Sequence, residues 1–194
     1  MRNIKRFILL PVLQLGLRQV ARDIILNTAM SSVLIPSRHR WRLMRIFGMD
    51  VERSVVYPGT FFGSRLLSVG YDSMINYGCF FDTTSEVKIG HGCSIGMEVL
   101  FCTSSHEIGS ADKRAGLNTS YAITIGDGTW VGARCAILPG VQIGSGCVIA
   151  AGSIVVRDCE KDSLYAGNPA KLVRKLSKEG LGGQTYPGLP PGEG

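Results

Sequence analysis

The sequence predicts an all-β fold, a parallel β-helix of hexapeptide repeats, on three observations. Ile125, Val131, Ile137, Ile143, Ile149 and Val155 place a branched aliphatic at every sixth residue. The same beat runs upstream through Val69, Ile75 and Phe81, then resumes two residues out of phase as Ile89, Ile95 and Phe101. The fourth position after the aliphatic is small throughout: Ser73, Cys79, Ser85, Cys93, Val99 and Ser105, then Thr129, Cys135, Val141, Cys147, Ser153 and Cys159.

A strand repeats every two residues, so a period of six means short strands separated by corners. Three such sides close a triangular coil of about eighteen residues. Ile125 then lies under Ile143, Val131 under Ile149 and Ile137 under Val155, so each coil buries its neighbours. Gly90, Gly96, Gly126, Gly132 and Gly144, directly after the aliphatics, suit corners where side-chain bulk or a negative φ is awkward.

The elements follow in chain order. Leu13, Leu17, Val20 and Ile24 recur at helical spacing, which predicts an amphipathic helix over 12–27. Ser37 caps a second helix through Trp41, Leu43, Arg45 and Phe47, with Gly48 as its stop. Residues 1–48 thus form a helical preface, and residues 49–168 the β-helix domain. Within that domain an excursion loop at 107–122 has no hexapeptide match, and long loops in compact domains are commonly functional. Asn168-Pro169 ends the beat, and residues 169–179 are expected as a short helix carrying Lys171, Arg174 and Lys175. The Gly/Pro-rich stretch 180–194 is expected as a disordered tail.

The chain has 194 residues, 45% apolar and 19% charged, which is enough for one well-buried core. Its net charge of +6 is uneven: residues 1–47 hold nine Lys/Arg against Asp23, a net +8, leaving −2 for the rest. Such a basic arm suits either a solvated helix face or contact with anionic lipid or a phosphorylated substrate. The start MRNIKRFILLPVLQLGL has a charged head and a short apolar run. Pro11, Gln14 and Arg18 interrupt it, no small-x-small cleavage site follows, and it is too short to span a bilayer, so a cytoplasmic protein is expected. Five of the six cysteines, all but Cys102, take the inward small position and read as packing residues rather than as disulfide or metal partners.

INYGCFFD (75–82), the TSSHEIG run (103–109), ITIGDGTWVGARCAILPGVQIGSGCVIAAGSIV (123–155) and LYAGNPAKLVRKL (164–176) together resemble the hexapeptide-repeat acetyltransferases of the maltose, galactoside and nodulation-factor type. RLMRIFGMDV and FFGSRLLSVG look most like acyltransferases of polysaccharide or natural-product glycoside pathways. The resemblance covers residues 45–176. It implies a left-handed β-helix, an exception to the right-handed crossover rule. It also implies a homotrimer, with acetyl-CoA as cosubstrate in the groove between adjacent subunits and a sugar-containing acceptor.

The same resemblance implies roles for particular residues. His106 matches the catalytic histidine. An imidazole, with an ordinary pKa of about 6.5, can take the proton of a sugar hydroxyl as its oxygen attacks the thioester carbonyl, with no covalent enzyme intermediate. Asn76 matches an active-site asparagine, although it also occupies a corner where glycine stands elsewhere. Asp82 sits at the equivalent corner of the next side and is expected to help orient the acceptor. The family's acidic ligand falls two residues later, at Thr83 and Thr84 here, so acceptor contacts differ. Trp130 matches the tryptophan beside the thioester site. Ala133 and Ala151 match residues lining the coenzyme groove, and Arg157, Lys171 and Arg174 match basic residues for its phosphates. The family's serine and threonine are Ala133 and Val156 in this chain.

Three alternatives remain at this stage. An N-acetyltransferase for an amino sugar would use the same histidine. A zinc-dependent hydratase on the same helix needs three converging histidines, and His39, His91 and His106 lack the required grouping. A non-catalytic scaffold or membrane-docking module would have no need of a histidine beside a long loop. Nucleic-acid binding is not expected, because the basic residues are not interleaved with aromatics on a recognisable reader.

Overall fold

In the computed structural model, which describes residues 20, 21 and 23–177, five triangular coils stack into a parallel β-helix. The first coil is formed by β1 (Asp50–Val51), β2 (Val55–Val56) and β3 (Phe61–Phe62). The second contains β4 (Leu67–Val69), β5 (Met74–Ile75) and β6 (Phe80–Phe81), and the third β7 (Val87–Ile89), β8 (Ser94–Ile95) and β9 (Leu100–Phe101). A hairpin of β10 (Ser104–Ile108) and β11 (Ala115–Ser120) follows. The chain then re-enters the helix through β12 (Ile123–Ile125), β13 (Trp130–Val131) and β14 (Ala136–Ile137), and the fifth coil is β15 (Gln142–Ile143), β16 (Val148–Ile149) and β17 (Ile154–Val155). The first strands of the coils form sheet A, the second strands sheet B and the third strands sheet C.

The aliphatic register is the expected one, with Ile125 over Ile143, Val131 over Ile149 and Ile137 over Val155. The phase slip is explained by the corner between Phe81 and Ile89, which is two residues longer than that between Ile137 and Ile143. There Thr83, with φ +46°, turns inward and is buried, whereas Ser85 is only half-buried. One coil on, Thr103 is buried and Ser105 is exposed. The small inward position at these two corners is therefore Thr83 and Thr103, not Ser85 and Ser105. Positive φ is unfavourable for a β-branched residue. Thr83 is held there by Ser64, whose N–H donates to the Thr83 hydroxyl at 2.7 Å and whose hydroxyl donates to the Thr83 carbonyl at 2.8 Å.

Two further details correct the reading of the corners. Gly96 and Gly132 do not have positive φ; a Cβ on Gly96 would lie 2.6 Å from Ala133 N, and one on Gly132 2.5 Å from Ala151 N. Close coil stacking, not backbone handedness, requires glycine there. The inward residues also do more than fit. Ser73 donates to the Gly90 carbonyl at 2.8 Å, Cys79 to Gly96 at 3.2 Å, Cys93 to Gly126 at 3.2 Å and Cys135 to Ala150 at 3.0 Å. Each satisfies a corner carbonyl of the next coil, which alanine could not do.

Burial pushes the Cys79 thiol up to about 11 and the Cys159 thiol up to about 12, so neither is thiolate at neutral pH. All of the cysteines except half-buried Cys102 are buried. A thiol reagent at pH 8 is expected to modify about one cysteine in the native protein and all six after denaturation. Rapid native labelling of several would contradict the inward placement.

The preface departs from expectation. The first part of the 12–27 helix, and five of the nine Lys/Arg of the basic arm, lie outside the described residues; Ile24–Ala29 is a π-helical turn. The second helix, α1 (Arg40–Ile46), begins at His39 without a side-chain cap, so Ser37 is not its cap. The chain first makes a tight turn, with His39 N–H donating to the Pro36 carbonyl at 2.9 Å. Buried Arg40 fastens this turn through bonds to the Ser32 and Ile35 carbonyls, at 2.7 and 2.8 Å. Gly48, with φ +87°, ends the helix as expected.

The expected C-terminal helix is also corrected. Residues 163–167 form β18 (Ser163–Gly167), which pairs parallel with β16, and β19 (Ala170–Lys175) turns back antiparallel on β18 after a cis Asn168–Pro169 bond. Sheet B otherwise ends on an open edge, and pairing this segment as a strand satisfies the ladder, with lysines on the new edge. The 180–194 segment lies outside the described residues. No helix among the described residues is long and apolar enough to cross a membrane.

The outward faces differ. Sheet A presents Asp50, Ser68, Lys88, Thr124 and Gln142, whereas sheet C presents Phe61, Phe80, Leu100, Ala136 and Ile154. Phe61 and Phe80 stack with ring centroids 4.4 Å apart.

Candidate active site

His106 lies on β10, in a hairpin that leaves the helix at the corner between sheets C and A. The excursion expected at 107–122 as a loop is thus an antiparallel ladder that starts before the histidine, with Ser104 opposite Ser120 and His106 opposite Asn118. The ladder slips by one residue between His106 and Ile108. Such irregularities re-aim side chains. The slip brings the Gly116 carbonyl to 3.3 Å from His106 Nδ1. A carbonyl only accepts, so Nδ1 carries the proton in this contact, and in the neutral ring the lone pair is on Nε2. Gly116 must be small, because a Cβ there would lie 2.9 Å from the Glu107 carbonyl oxygen. Nothing in the sequence pattern singled out Gly116.

Asp82 stands one coil before the root of this hairpin. Its Oδ2 accepts from Thr103 N–H at 3.0 Å, Ser104 N–H at 2.7 Å and the Thr103 hydroxyl at 3.2 Å; its Oδ1 accepts from the Thr84 hydroxyl at 2.8 Å. The carboxylate expected to face an acceptor is therefore occupied by the chain itself. Burial alone would raise this carboxyl, but the bonds from Ser104, Thr84 and Thr103 outweigh it and hold it below the usual aspartate range.

Further along the same corner, Tyr121, Pro139, Gly140, Val156 and Arg157 line an open cleft of about 270 Å³. Tyr121 ends the hairpin's return to the body, through its N–H to the Thr103 carbonyl at 2.9 Å. Tyr121 carried no sequence signal, because it falls in the stretch without repeats.

The remaining candidates gather at the opposite edge of sheet C, at the corner with sheet B. Asn76 is half-buried there, its side-chain oxygen accepting from Tyr77 N–H at 2.8 Å, and its φ is not positive. Ala133 and Ala151 follow along this edge, with Gly152 N–H donating to the Ala133 carbonyl at 2.8 Å. Trp130 projects from the outer face of sheet B, 47% exposed. Lys171 and Arg174 lie on β19, a strand rather than the expected helix. One chain thus carries two half-sets, His106 and Arg157 on one edge of sheet C, Asn76, Ala133 and Ala151 on the other.

The other histidines stand apart. His39 precedes α1, and His91 lies at the corner between sheets A and B, its ring tilted against that of Tyr71 with centroids 4.3 Å apart and accepting from Tyr71 N–H at 3.2 Å. Among the described residues no group of three or more potential metal ligands converges.

Comparison with known proteins agrees with this architecture. Residues 122–157 match the family described as Bacterial transferase hexapeptide (six repeats). A Saccharomyces cerevisiae protein assigned as an acetyltransferase is 32% identical over 139 residues, 71% of this chain and 70% of that protein. Against other curated relatives the chain spans about half of their length. Among solved structures, a hexapeptide-repeat acetyltransferase of Vibrio cholerae in complex with acetyl coenzyme A is 28% identical with a TM-score of 0.71, covering 81% of this chain and 87% of that one. A maltose O-acetyltransferase of Clostridium difficile shares the fold, with 24% identity and a TM-score of 0.73 over 82% and 87% of the two chains.

Proposed function

The chain belongs to the hexapeptide-repeat acetyltransferase family, and on that premise we propose that it is an acetyl-CoA-dependent O-acetyltransferase acting on a hydroxyl of a sugar or glycoside. The observation that carries this reading is the His106 ring, exposed on its hairpin with Nδ1 committed to the Gly116 carbonyl. Nε2 is then the free base. It takes the acceptor hydroxyl proton as that oxygen attacks the acetyl carbonyl; the tetrahedral adduct collapses, the C–S bond breaks, and the imidazolium returns its proton to the departing CoA thiolate. Direct transfer needs both substrates held together, which supplies proximity without an acyl-enzyme.

The two half-sets support a homotrimer. If the apolar face of sheet C packs on the next copy, the edge bearing His106 and Arg157 meets an edge bearing Asn76, Ala133 and Ala151. Burial of Phe61, Phe80 and Leu100 favours such packing. In that groove Asn76 would hydrogen-bond the acceptor, Trp130 would flank the thioester, and Arg157, Lys171 and Arg174 would attract the CoA phosphates. A sugar acceptor is supported by the resemblance of the His106 and Asn76 motifs to maltose- and galactoside-type enzymes.

The test is thiol release from acetyl-CoA with a panel of neutral sugars, glycosides, nucleotide sugars and their amino-sugar counterparts. Acceptor-dependent release with hydroxyl-only sugars, and an ester in the product, is the expected result. Release confined to amino sugars, with an amide product, would replace the reading by N-acetylation.

A further inference from the structure

The hairpin bearing His106 has little beneath it: β10 is exposed from Ser105 to Ile108, and β11 is no more than half-buried at any residue. A ladder of two strands without an apolar face on a core is marginal by itself. Its direction relative to the body is therefore set at its root. There Asp82 grips the last residue of the coil and the first of the hairpin, through Thr103 N–H and Ser104 N–H at 3.0 and 2.7 Å. The preceding coil adds a second link through Ser85, whose hydroxyl lies 2.9 Å from that of Ser120 on the returning strand, and whose N–H donates to the Thr103 hydroxyl at 3.0 Å. Ser104 is two residues from His106, so a change of direction at the root carries directly to the ring.

We infer that Asp82 is a positioning residue for the histidine, acting through the root of the hairpin and not by contact with the acceptor. This rests on the acetyltransferase reading for its catalytic consequence, but the anchoring itself does not. A charged acceptor of two backbone N–H groups is stronger than a neutral one, and the lowered carboxyl keeps it charged at neutral pH. Because the folded value lies below the unfolded one, the anchor's contribution is complete above the ordinary aspartate range and fades as pH falls through the lowered value.

Wild type, Asp82→Asn and Asp82→Ala separate the possibilities when amide hydrogen exchange is measured beside steady-state kinetics. Expected is faster exchange confined to residues 103–120, larger in Asp82→Ala than in Asp82→Asn, with the rest of the coils unchanged. Turnover is expected to fall roughly 10-fold or more in Asp82→Ala, because misplacement of a reacting group by about 1 Å is costly. The KM for the acceptor and for acetyl-CoA should stay within about twofold, and Asp82→Asn, which keeps an acceptor oxygen, should recover part of the rate. Unchanged exchange at 103–120 would overturn the inference, as would a raised acceptor KM at constant turnover, the signature of a direct acceptor ligand. A wild-type protein without acetyl transfer would instead count against the proposed function, while the exchange result would still decide whether Asp82 holds the hairpin.

Discussion

Replacing His106 by alanine is expected to lower kcat by roughly 10²- to 10⁴-fold, the range carried by a positioned general base, with acetyl-CoA affinity within a few-fold of wild type. The side chain bonds the Gly116 carbonyl and lies exposed on its hairpin. Its removal therefore takes away little buried surface, and the fold should be intact by circular dichroism. What disappears is the lone pair on Nε2. Without it the hydroxyl must attack while still protonated, or release its proton to water. Equal turnover in wild type and His106→Ala would remove this histidine from the mechanism; a loss explained wholly by a higher KM would make it a binding group.

The second large effect is on stability. Phe81→Ala is expected to cost about 3–5 kcal/mol, the usual range for emptying a buried aromatic site. The Phe81 ring is fully buried between those of Phe62 and Phe101, with centroid separations of 5.9 and 4.6 Å and interplanar angles of 9° and 5°. It links three successive coils, and in a solenoid each coil is stable mainly through its neighbours. The cavity would open under the corner that supports Thr83 and the hairpin root, so activity should fall at temperatures where the rest remains folded. Urea denaturation at one fixed protein concentration is the appropriate measurement, since in the proposed trimer stability would depend on concentration. A loss below about 1 kcal/mol would show that the stack closes over the gap.

The coil architecture was legible because it rests on local, repeated information. Ile125, Val131 and Ile137 need an interior, and six-residue spacing allows only one simple way to provide it. The inward cysteines followed from the same count. The failures lie where the count breaks. Two extra residues before Ile89 moved the inward position to Thr83, and departure into the hairpin after Phe101 moved it to Thr103, whereas a period read forward from Phe81 or Phe101 names Ser85 and Ser105. The run AKLVRKL suits a helix by composition, yet an open edge on sheet B drew it into β19.

The candidate site divides in the same way. His106, Asn76 and Trp130 were visible as motif positions. Gly116 was not, because the close approach of the Glu107 carbonyl that requires glycine there exists only once the hairpin has formed. Asp82 was visible as an acidic residue at a corner, but its partners, Thr103 and Ser104, lie more than twenty residues on.

By itself, the sequence determined the repeat, the stacking order of the aliphatics, the inward thiols and the stretch that leaves the coil. Only the tertiary structure decided that this stretch is a hairpin, that the C-terminal segment is a strand, and that Asp82 bonds the root of the hairpin. The physical reason is that burial is periodic and can be counted along the chain. Hydrogen bonds at corners and edges depend instead on which residue of the next coil arrives opposite, and two inserted residues are enough to change that partner.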